Sequence, residues 1–379
     1  MSGARRVVQF NPSAESWTAP ASPNTDAVLN FHQSLPNYQP TKLVSLGEVA
    51  KELGVKSVFV KDETERLGLP SFKILGASWG TFCALLRALH LSEAATFEQV
   101  KKALEGTKFK LYAATDGNHG RAVARMGSLL AIPAEIHVPR QMSLQTIELI
   151  ESEGAHVIST SGSYEDAIAA ANAGANADER GILVQDTAFE GYEEIPGWIV
   201  EGYGTMLREI DEQLGNKNVD LVVCPVGVGS LALSVLTHFK REGRQTAMVT
   251  VEPDTAACLW TSVHKGEWTA IETTPTIMAG LDCGQVSTTA WPFLRDGVDA
   301  CLTVSDYEAH MALGDLKAAG VHAGPCGSSP LAALRRLRGE DGADLGLTGE
   351  STVVLICTEG TRDYMIPTED GALCNVSYN

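Results

Sequence analysis

The sequence predicts an α/β protein built from open, twisted and mostly parallel sheets flanked by helices. Three observations support this prediction. Short runs of β-branched residues alternate with amphipathic stretches of helical length, as in parallel strands joined by helices. Glycine-rich segments follow several of these runs. A chain of 379 residues is too long for one ordinary hydrophobic core and suits two packed domains.

The predicted elements follow a polar N-terminal segment. Residues 1–30 are rich in Pro, Ser and Asn and predict an extended arm. Strands are predicted at 57–61, 110–114, 134–138, 155–160, 181–185, 219–224, 247–252 and 352–357. Helices are predicted at 119–130, 163–177, 198–214, 230–242 and 305–319. Ser305 and Glu308 predict a capping box at the start of the last helix.

The composition argues against several classes of function. The formal net charge of −18 repels phosphate backbones, so we expect no nucleic-acid partner. The most apolar run, residues 221–236, is broken by proline and glycine and is too short to span a membrane. The N-terminus lacks the apolar core of a signal peptide. We therefore expect a cytoplasmic protein with no membrane partner.

The eight cysteines form no CxxC pair and show no zinc-type spacing, so no metal site is predicted. Several of them lie in apolar runs, which is typical of buried, reduced thiols in a cytosolic protein. Cys258 and Cys283 flank a segment that is a candidate for the cleft. Whether these two cysteines pair stays open from the sequence.

Candidate functional residues follow the predicted strands, because ligands of parallel sheets bind beyond the carboxyl ends of the strands. Three segments qualify by their composition. TDGNHG follows the strand at 110–114, PVGVGS follows the strand at 219–224, and TEGTRD follows the strand at 352–357.

Lys73 is the candidate for a covalent bond to a cofactor. Its neighbours in GLPSFKILGASWG are small or apolar, and no acidic residue is close in the sequence. Desolvation lowers the pKa of a lysine and yields the neutral amine that forms an imine with an aldehyde. Gly76 and Ala77 would let the following helix approach such a cofactor. The alternative is an ordinary lysine whose ammonium group reaches solvent.

The segment VVCPVGVGSLALSVL predicts a strand, a glycine turn and a helix. Gly227 and Gly229 permit backbone angles that other residues avoid, and Ser230 is a good N-cap. Several amides and a helix N-terminus would then face one phosphate group. The turn has neither the lysine nor the acidic residue of a nucleotide site, so a single monophosphate fits better. The alternative is a tight turn without a ligand.

The segment YAATDGNHGRAVA places polar side chains between a strand and a helix. Asn118 is suited to donate a hydrogen bond to a ring oxygen. Asp116 is suited to act as a general base, since an apolar cleft would raise its pKa toward the working range. The alternative is that Asp116 and Asn118 only cap the helix. His119 is expected to be structural.

These motifs resemble those of the fold type II (tryptophan-synthase-β-like) pyridoxal-phosphate (PLP) enzymes, and they occur in the same order. The resemblance extends from about residue 30 to residue 365 and is closer to the 2,3-diaminopropionate ammonia-lyases, in VKDETERLGLPSFKILGAS, QDTAFEGYEEIP and IMAGLDCG. It implies two sheets with the cofactor in the interdomain cleft. We expect a large domain of residues 1–75 and 191–379 and a small domain of residues 76–190. Related enzymes are homodimers, and we expect a homodimer here.

The resemblance also implies roles for individual residues. Lys73 would hold PLP as a Schiff base, and Asp116 and Asp186 would be the acidic residues of the substrate site. The expected cofactor-binding residues are Phe72, Lys73, Asn118, Gly227, Val228, Gly229, Ser230 and Thr358. Thr358 or Thr361 would face the pyridine nitrogen. The implied reaction is α,β-elimination from a small amino acid to a 2-oxo acid and ammonia.

Two departures from the family pattern leave the substrate open. Thr361 and Arg362 stand after TEG, where an acidic residue is expected, and Cys326 occupies an unexpected place in AGPCGSSPL. The alternatives are a serine or threonine dehydratase-like enzyme, a β-replacement PLP enzyme, or a binding protein that shares only the fold. Two carboxylates in the site would favour a diamino acid, since they attract its second ammonium group.

Overall fold

The computed structural model describes residues 6–20, 25–115, 117–215, 217–339, 345–369 and 373–377. Its strands are β1 (Gln9–Phe10), β2 (Leu43–Ser45), β3 (Ser57–Asp62), β4 (Lys110–Ala114), β5 (Ala134–Val138), β6 (His156–Ser159), β7 (Gly181–Leu183), β8 (Leu221–Pro225), β9 (Ala247–Pro253), β10 (Ala300–Val304), β11 (Thr352–Cys357), β12 (Met365–Pro367) and β13 (Leu373–Ser377).

Helices connect most of these strands. They are α1 (Thr25–Ser34), α2 (Gly47–Leu53), α3 (Lys73–Ala88), α4 (Phe97–Leu104), α5 (Asn118–Leu130), α6 (Leu144–Ser152), α7 (Tyr164–Ala177), α8 (Glu194–Gly202), α9 (Gly204–Gln213), α10 (Ser230–Phe239), α11 (Cys258–Lys265), α12 (Trp291–Gly297), α13 (Asp306–Ala318) and α14 (Pro325–Gly339). None of the helices in the described ranges is long and apolar enough to cross a bilayer.

Eleven of the strands form two open sheets. The larger sheet has seven strands in the order β1-β10-β9-β8-β11-β3-β2, and the smaller has four in the order β6-β5-β4-β7. Within these two sheets the pairs are parallel except those of the two edge strands of the larger sheet, β1 with β10 and β2 with β3. Strands β12 and β13 form a separate antiparallel pair. The predicted fold class, α/β with two mostly parallel sheets flanked by helices, is therefore confirmed.

The smaller sheet lies within residues 110–183, inside the predicted small domain of residues 76–190. The strands of the larger sheet lie outside that range. Helix α3, which starts at Lys73 just before the predicted boundary, packs on α5 and on α8. The position of the boundary between the two domains stays a prediction.

The predicted arm, residues 1–30, is folded along much of its described length. Strand β1 pairs with β10, a 3₁₀ helix covers Pro12–Ser16, and α1 begins at Thr25. The physical reason is apolar burial, since Val8, Ala14 and Val28 are buried side chains. These few apolar residues are scattered among many Pro, Ser and Asn residues, so the sequence pattern did not reveal that they are buried.

The helix predicted at 198–214 is two helices, α8 and α9, which meet at Tyr203 between two glycines. Gly202 at the end of α8 and Gly76 of α3 let α8 approach α3, the helix that begins with Lys73. A Cβ atom at Gly76 would lie 2.5 Å from the ring of Tyr203, and one at Gly202 would lie 2.5 Å from the carbonyl oxygen of Leu75. Gly76 therefore makes room for α8, rather than for the cofactor as the sequence had suggested.

A buried ionic cluster anchors the chain that leads to Lys73. Arg66 is fully buried and forms ion pairs with Glu63 at 2.5 Å and with Glu209 of α9 at 2.7 Å. Lys61, at the end of β3, also pairs with Glu209 at 2.7 Å. The two positive charges equal the two negative charges in number. Their pairing offsets the cost of removing all four charged groups from water. The cluster thus joins β3 to α9 beneath the turn at residues 66–69.

Candidate active site

One cavity collects the predicted site residues beyond the carboxyl ends of strands from both sheets. Its wall includes the first residue of α3, the loops after β4 and β7, the glycine turn after β8 and the loop after β11. Nine of the predicted residues line it, namely Phe72, Lys73, Asn118, Asp186, Gly227, Val228, Gly229, Ser230 and Thr358. Asp116 lies outside the described residues, between the lining residues Thr115 and Gly117.

Lys73 forms an ion pair with Asp186 inside this cavity. The side chain of Lys73 is 22% exposed and that of Asp186 is 3% exposed. Burial by itself lowers the pKa of Lys73, but the carboxylate outweighs it and raises the pKa above the ordinary value. The expected lowering of the lysine pKa is therefore wrong, because an acid that is distant in sequence lies beside the amine.

Asp186 follows β7 and is held as a carboxylate. Burial alone would raise its pKa, but the charge and the hydrogen bond of Lys73 lower it to about 2. His119 Nδ1 lies 3.9 Å from the Asp186 carboxylate, and His119 Nε2 lies 2.8 Å from the carbonyl oxygen of Val184. Burial lowers the pKa of His119, so the ring is neutral and Nε2 donates to Val184. This contact agrees with the structural role expected for His119.

Phe72 and Tyr203 form an aromatic wall next to the amine. The Phe72 ring lies 4.8 Å from the Tyr203 ring, between centroids, and 5.4 Å from Lys73 Nζ. Burial raises the pKa of the Tyr203 phenol, so this side chain is neutral beside the ion pair. Sequence reasoning missed Tyr203, and its only signal was the glycine on each side of it.

The glycine turn between β8 and α10 has the geometry of a phosphate-binding loop. Gly229 has a φ of 93° and is the N-cap of α10. A Cβ atom at Gly227 would lie 2.9 Å from the carbonyl oxygen of Gly280, so no larger residue fits. Ser230 is the first helical residue rather than the cap, and its hydroxyl donates to the main-chain carbonyl of Asp186. The turn is thereby tied to the ion pair.

Asn118 is the first residue of α5, and its amide donates to a carboxylate that the sequence analysis did not single out. Asn118 Nδ2 lies 2.9 Å from Oε2 of Glu359, which is 3% exposed. The helix is capped by Gly117 without a side-chain hydrogen bond, so Asn118 does not serve as the cap. The signal for Glu359 was its place in TEG, directly after a buried strand.

Thr358 is the better placed of the two threonines proposed for the pyridine nitrogen. Its side chain lines the cavity, is buried and has a hydroxyl without a hydrogen-bond partner. Thr361 is exposed and lines a separate surface depression. A buried hydroxyl without a partner costs free energy unless a ligand supplies one.

Cys258 and Cys283 are not joined by a disulfide bond, so the pairing left open by the sequence does not occur in this structure. Cys283 and Cys326 line the cavity. Burial raises the pKa of Cys258 and of Cys326 well above the ordinary value, so both are neutral and poor nucleophiles.

The residues around the cavity fit PLP. An amine on Lys73 faces the same space as the glycine turn, whose amides suit a phosphate group. The unpartnered hydroxyl of Thr358 offers a hydrogen bond to a ring nitrogen. A monophosphate ester with an aldehyde and a pyridine ring satisfies all three features together.

Comparison with known proteins agrees with this chemistry. A family model described as pyridoxal-phosphate dependent enzyme matches residues 35–359. A diaminopropionate ammonia-lyase of Escherichia coli K12 is 34% identical over 375 residues, covering 91% of each chain. That of Salmonella typhimurium LT2 is 37% identical over 294 residues, covering 74% of this chain and 72% of its own.

A solved structure extends the similarity to three dimensions. The E. coli enzyme, in complex with an aminoacrylate-PLP azomethine reaction intermediate, matches with a TM-score of 0.84 at 30% identity and covers 94% of both chains. Because the family model spans most of the chain and a relative 34% identical spans 91% of it, this chain belongs to the pyridoxal-phosphate-dependent enzymes, in the diaminopropionate ammonia-lyase family.

Proposed function

We propose that the chain is a PLP-dependent ammonia-lyase that acts on 2,3-diaminopropionate or a closely related amino acid by α,β-elimination. With diaminopropionate, loss of the α-hydrogen and the β-amino group followed by hydrolysis gives pyruvate and two molecules of ammonia. The observation that supports this most directly is the Lys73–Asp186 ion pair in a cavity that also contains the glycine turn.

When bound, PLP withdraws the electrons that remain at the α-carbon after its hydrogen leaves. The chain must then bind, orient and move protons. Gly227, Val228, Gly229 and Ser230 bind the phosphate, and Asn118 and Thr358 orient the ring. Burial of Asp186 and most of Lys73 limits access of water to the reacting atoms.

Lys73 and Asp186 supply the proton movements on one face of the substrate. Once the substrate amine has taken its place on the cofactor, Lys73 is a neutral amine whose Nζ accepts the α-hydrogen as a proton, and the Asp186 carboxylate stabilises the ammonium group that results. The β-amino group is bound as an ammonium group and leaves as neutral ammonia when its bond to the β-carbon breaks, so it needs no further proton. Asp116 is the proposed base for the opposite face, which would allow both enantiomers to react.

The carboxylates of the cavity favour a diamino acid over a hydroxy amino acid. The buried carboxylates of Asp186 and Glu359 line the cavity together with the cations Lys73 and Arg362, so the attraction is local to each carboxylate rather than a net charge of the cavity. A second ammonium group on the substrate is attracted to such carboxylates, whereas the β-hydroxyl group of serine or threonine is neutral. The serine or threonine dehydratase-like activity and β-replacement are therefore the less favoured alternatives.

A substrate panel tests the proposed activity. Release of pyruvate or another 2-oxo acid is measured from L- and D-2,3-diaminopropionate, serine and threonine at equal concentrations. We expect the highest kcat/KM with a diaminopropionate enantiomer. Faster turnover of serine or threonine would assign the chain to the dehydratase alternative, and absence of 2-oxo acid from all four would reject the lyase assignment.

Replacing Thr358 with valine tests whether the cavity is built for PLP. The change removes a buried hydroxyl without a partner, so the apo-protein should be at least as stable to urea as the original. PLP should bind roughly fivefold more weakly, since its ring nitrogen loses a hydrogen bond worth about 1 kcal/mol. Unchanged PLP affinity would show that Thr358 forms no hydrogen bond with the ring nitrogen. Thr361→Val is the matched control at an exposed position.

We further propose a cytoplasmic homodimer that binds a small amino acid and neither nucleic acid nor membrane. The support for the compartment is that no disulfide bond forms among the cysteines of the described ranges, at 83, 224, 258, 283, 301, 326 and 357, so they are thiols. Such thiols are typical of reducing compartments. Sedimentation of the purified protein tests the dimer.

A further inference from the structure

A hydrogen bond between two side chains joins the loop after a strand of one sheet to the loop after a strand of the other. Asn118 follows β4 of the four-stranded sheet, and Glu359 follows β11 of the seven-stranded sheet. Asn118 Nδ2 donates to Glu359 Oε2 at 2.9 Å, and both residues line the cavity. The contact therefore lies where a ring held between the two sheets would be bound.

The Glu359 carboxylate is held at both of its oxygens. Oε2 accepts from Asn118, and Oε1 accepts from the main-chain N–H of Cys326 at the start of α14, at 3.2 Å. Gly324 leaves room for the group, since a Cβ atom there would lie 2.9 Å from Oε1. Only 3% of Glu359 is exposed. A carboxylate that is buried this deeply is costly, and hydrogen bonds from N–H groups offset the cost.

The carboxylate also decides which way the Asn118 amide points. The Glu359 side chain is an acceptor as a carboxylate, so the Asn118 atom that faces it must be the donor Nδ2. A flipped amide would place Oδ1 against the carboxylate, where two acceptors repel each other. The amide nitrogen has a second hydrogen, which remains available to an acceptor in the cavity.

We propose that Glu359 is a positioning residue that holds the Asn118 amide in the orientation that donates to the ring hydroxyl oxygen of bound PLP. This inference rests on the proposed function, because it needs PLP in the cavity. Glu359 acts through Asn118 and does not itself contact the ring. Loss of the carboxylate would free the amide to rotate and present Oδ1 to the phenolic oxygen, which weakens the contact.

A double-mutant cycle tests this role without measuring turnover. Glu359→Met removes the acceptor at similar size, and Asn118→Ala removes the amide. PLP affinity and the absorption maximum of the lysine-bound cofactor are measured for the original holo-protein, both single variants and the double variant. We expect each single variant to bind PLP roughly tenfold more weakly and to shift the absorption band. The double variant should bind no more weakly than Asn118→Ala alone.

Two further variants separate positioning from general damage to the fold. Glu359→Gln keeps an acceptor oxygen and should recover most of the affinity, within about threefold of the original. Glu179→Gln makes the same charge change at an exposed site and should leave both readouts unchanged. If Glu359→Met fails to fold, Glu359→Asp takes its place, because the shorter carboxylate no longer reaches Asn118.

The outcomes distinguish this inference from the proposed function. If the losses of PLP affinity in the two single variants add up in the double variant, the positioning role is overturned. The same holds if Glu359→Met keeps the original affinity and spectrum. A chain that develops no absorption band with PLP in any form would instead overturn the proposed function. A Glu359→Gln variant as weak as Glu359→Met would also contradict the role, since charge rather than orientation would then matter.

Discussion

Replacing Lys73 with alanine should abolish both the absorption band of the lysine-bound cofactor and the release of 2-oxo acid from diaminopropionate. Lys73 is the lysine that lines the cavity beside the glycine turn, and its amine both bonds the cofactor and moves the substrate proton. Loss of a covalent and acid–base group together should lower kcat at least about 10⁴-fold. Absorption spectra and steady-state kinetics measure the two effects.

The matched control for this change is Lys317→Ala, at an exposed lysine of α13. It should leave the band and the turnover as they are in the original protein. Survival of the band in Lys73→Ala would mean that another amine bonds PLP and would contradict the assignment. Loss of turnover with an intact band would leave Lys73 as a base only.

Replacing Asp186 with asparagine should separate cofactor binding from turnover. Without the carboxylate, burial dominates and the pKa of Lys73 falls below its ordinary value, so the amine still reacts with the aldehyde. The proton that Lys73 receives during turnover then has no neighbouring charge to stabilise it. We expect kcat to fall roughly 10²- to 10⁴-fold while the absorption band persists.

The same variant should change how stability depends on pH. The folded-state pKa of Asp186 is about 2, below its ordinary value of 3.8, so the ion pair stabilises the fold at any pH above about 4. This contribution is lost as the pH falls through the range from about 4 to 2. Melting temperatures of Asp186→Asn should therefore vary less over that range. Asp315→Asn, at a half-exposed ion pair with Arg335, is the control.

Full activity of Asp186→Asn would show that the carboxylate does not assist Lys73. An acid dependence of melting temperature equal to that of the original protein would show that the ion pair contributes nothing to stability. The first result would require another group to stabilise the proton that Lys73 receives.

The sequence predicted most of the strands that position the site. The runs at 110–114, 134–138 and 352–357 match β4, β5 and β11 residue for residue. Apart from Lys110, Glu135 and His137, these strands consist of apolar or small residues that are largely buried in parallel sheets, which makes the pattern strong. Strand β10, with the sequence ACLTV, was missed although the turn signal Asp296-Gly297 precedes it.

The candidate site was predictable as a set of loops but not as a set of contacts. The glycine turn and the asparagine loop are local motifs, so their residues were found from sequence. The Lys73–Asp186 pair joins residues 113 positions apart, and the Asn118–Glu359 bond joins residues 241 positions apart. Such contacts depend on how the two sheets pack, so the raised pKa of Lys73 has no local signal, and the place of Glu359 in TEG marks the residue but not its contact with Asn118.

The glycine contacts between α3 and α8 make the position of the reactive amine sensitive to a residue outside the cavity wall. A Cβ atom at Gly202 would lie 2.5 Å from the carbonyl oxygen of Leu75, so a larger residue there would push the two helices apart. Helix α3 begins with Lys73, two residues before Leu75. A side chain at Gly202 would therefore displace the end of the helix that carries the amine.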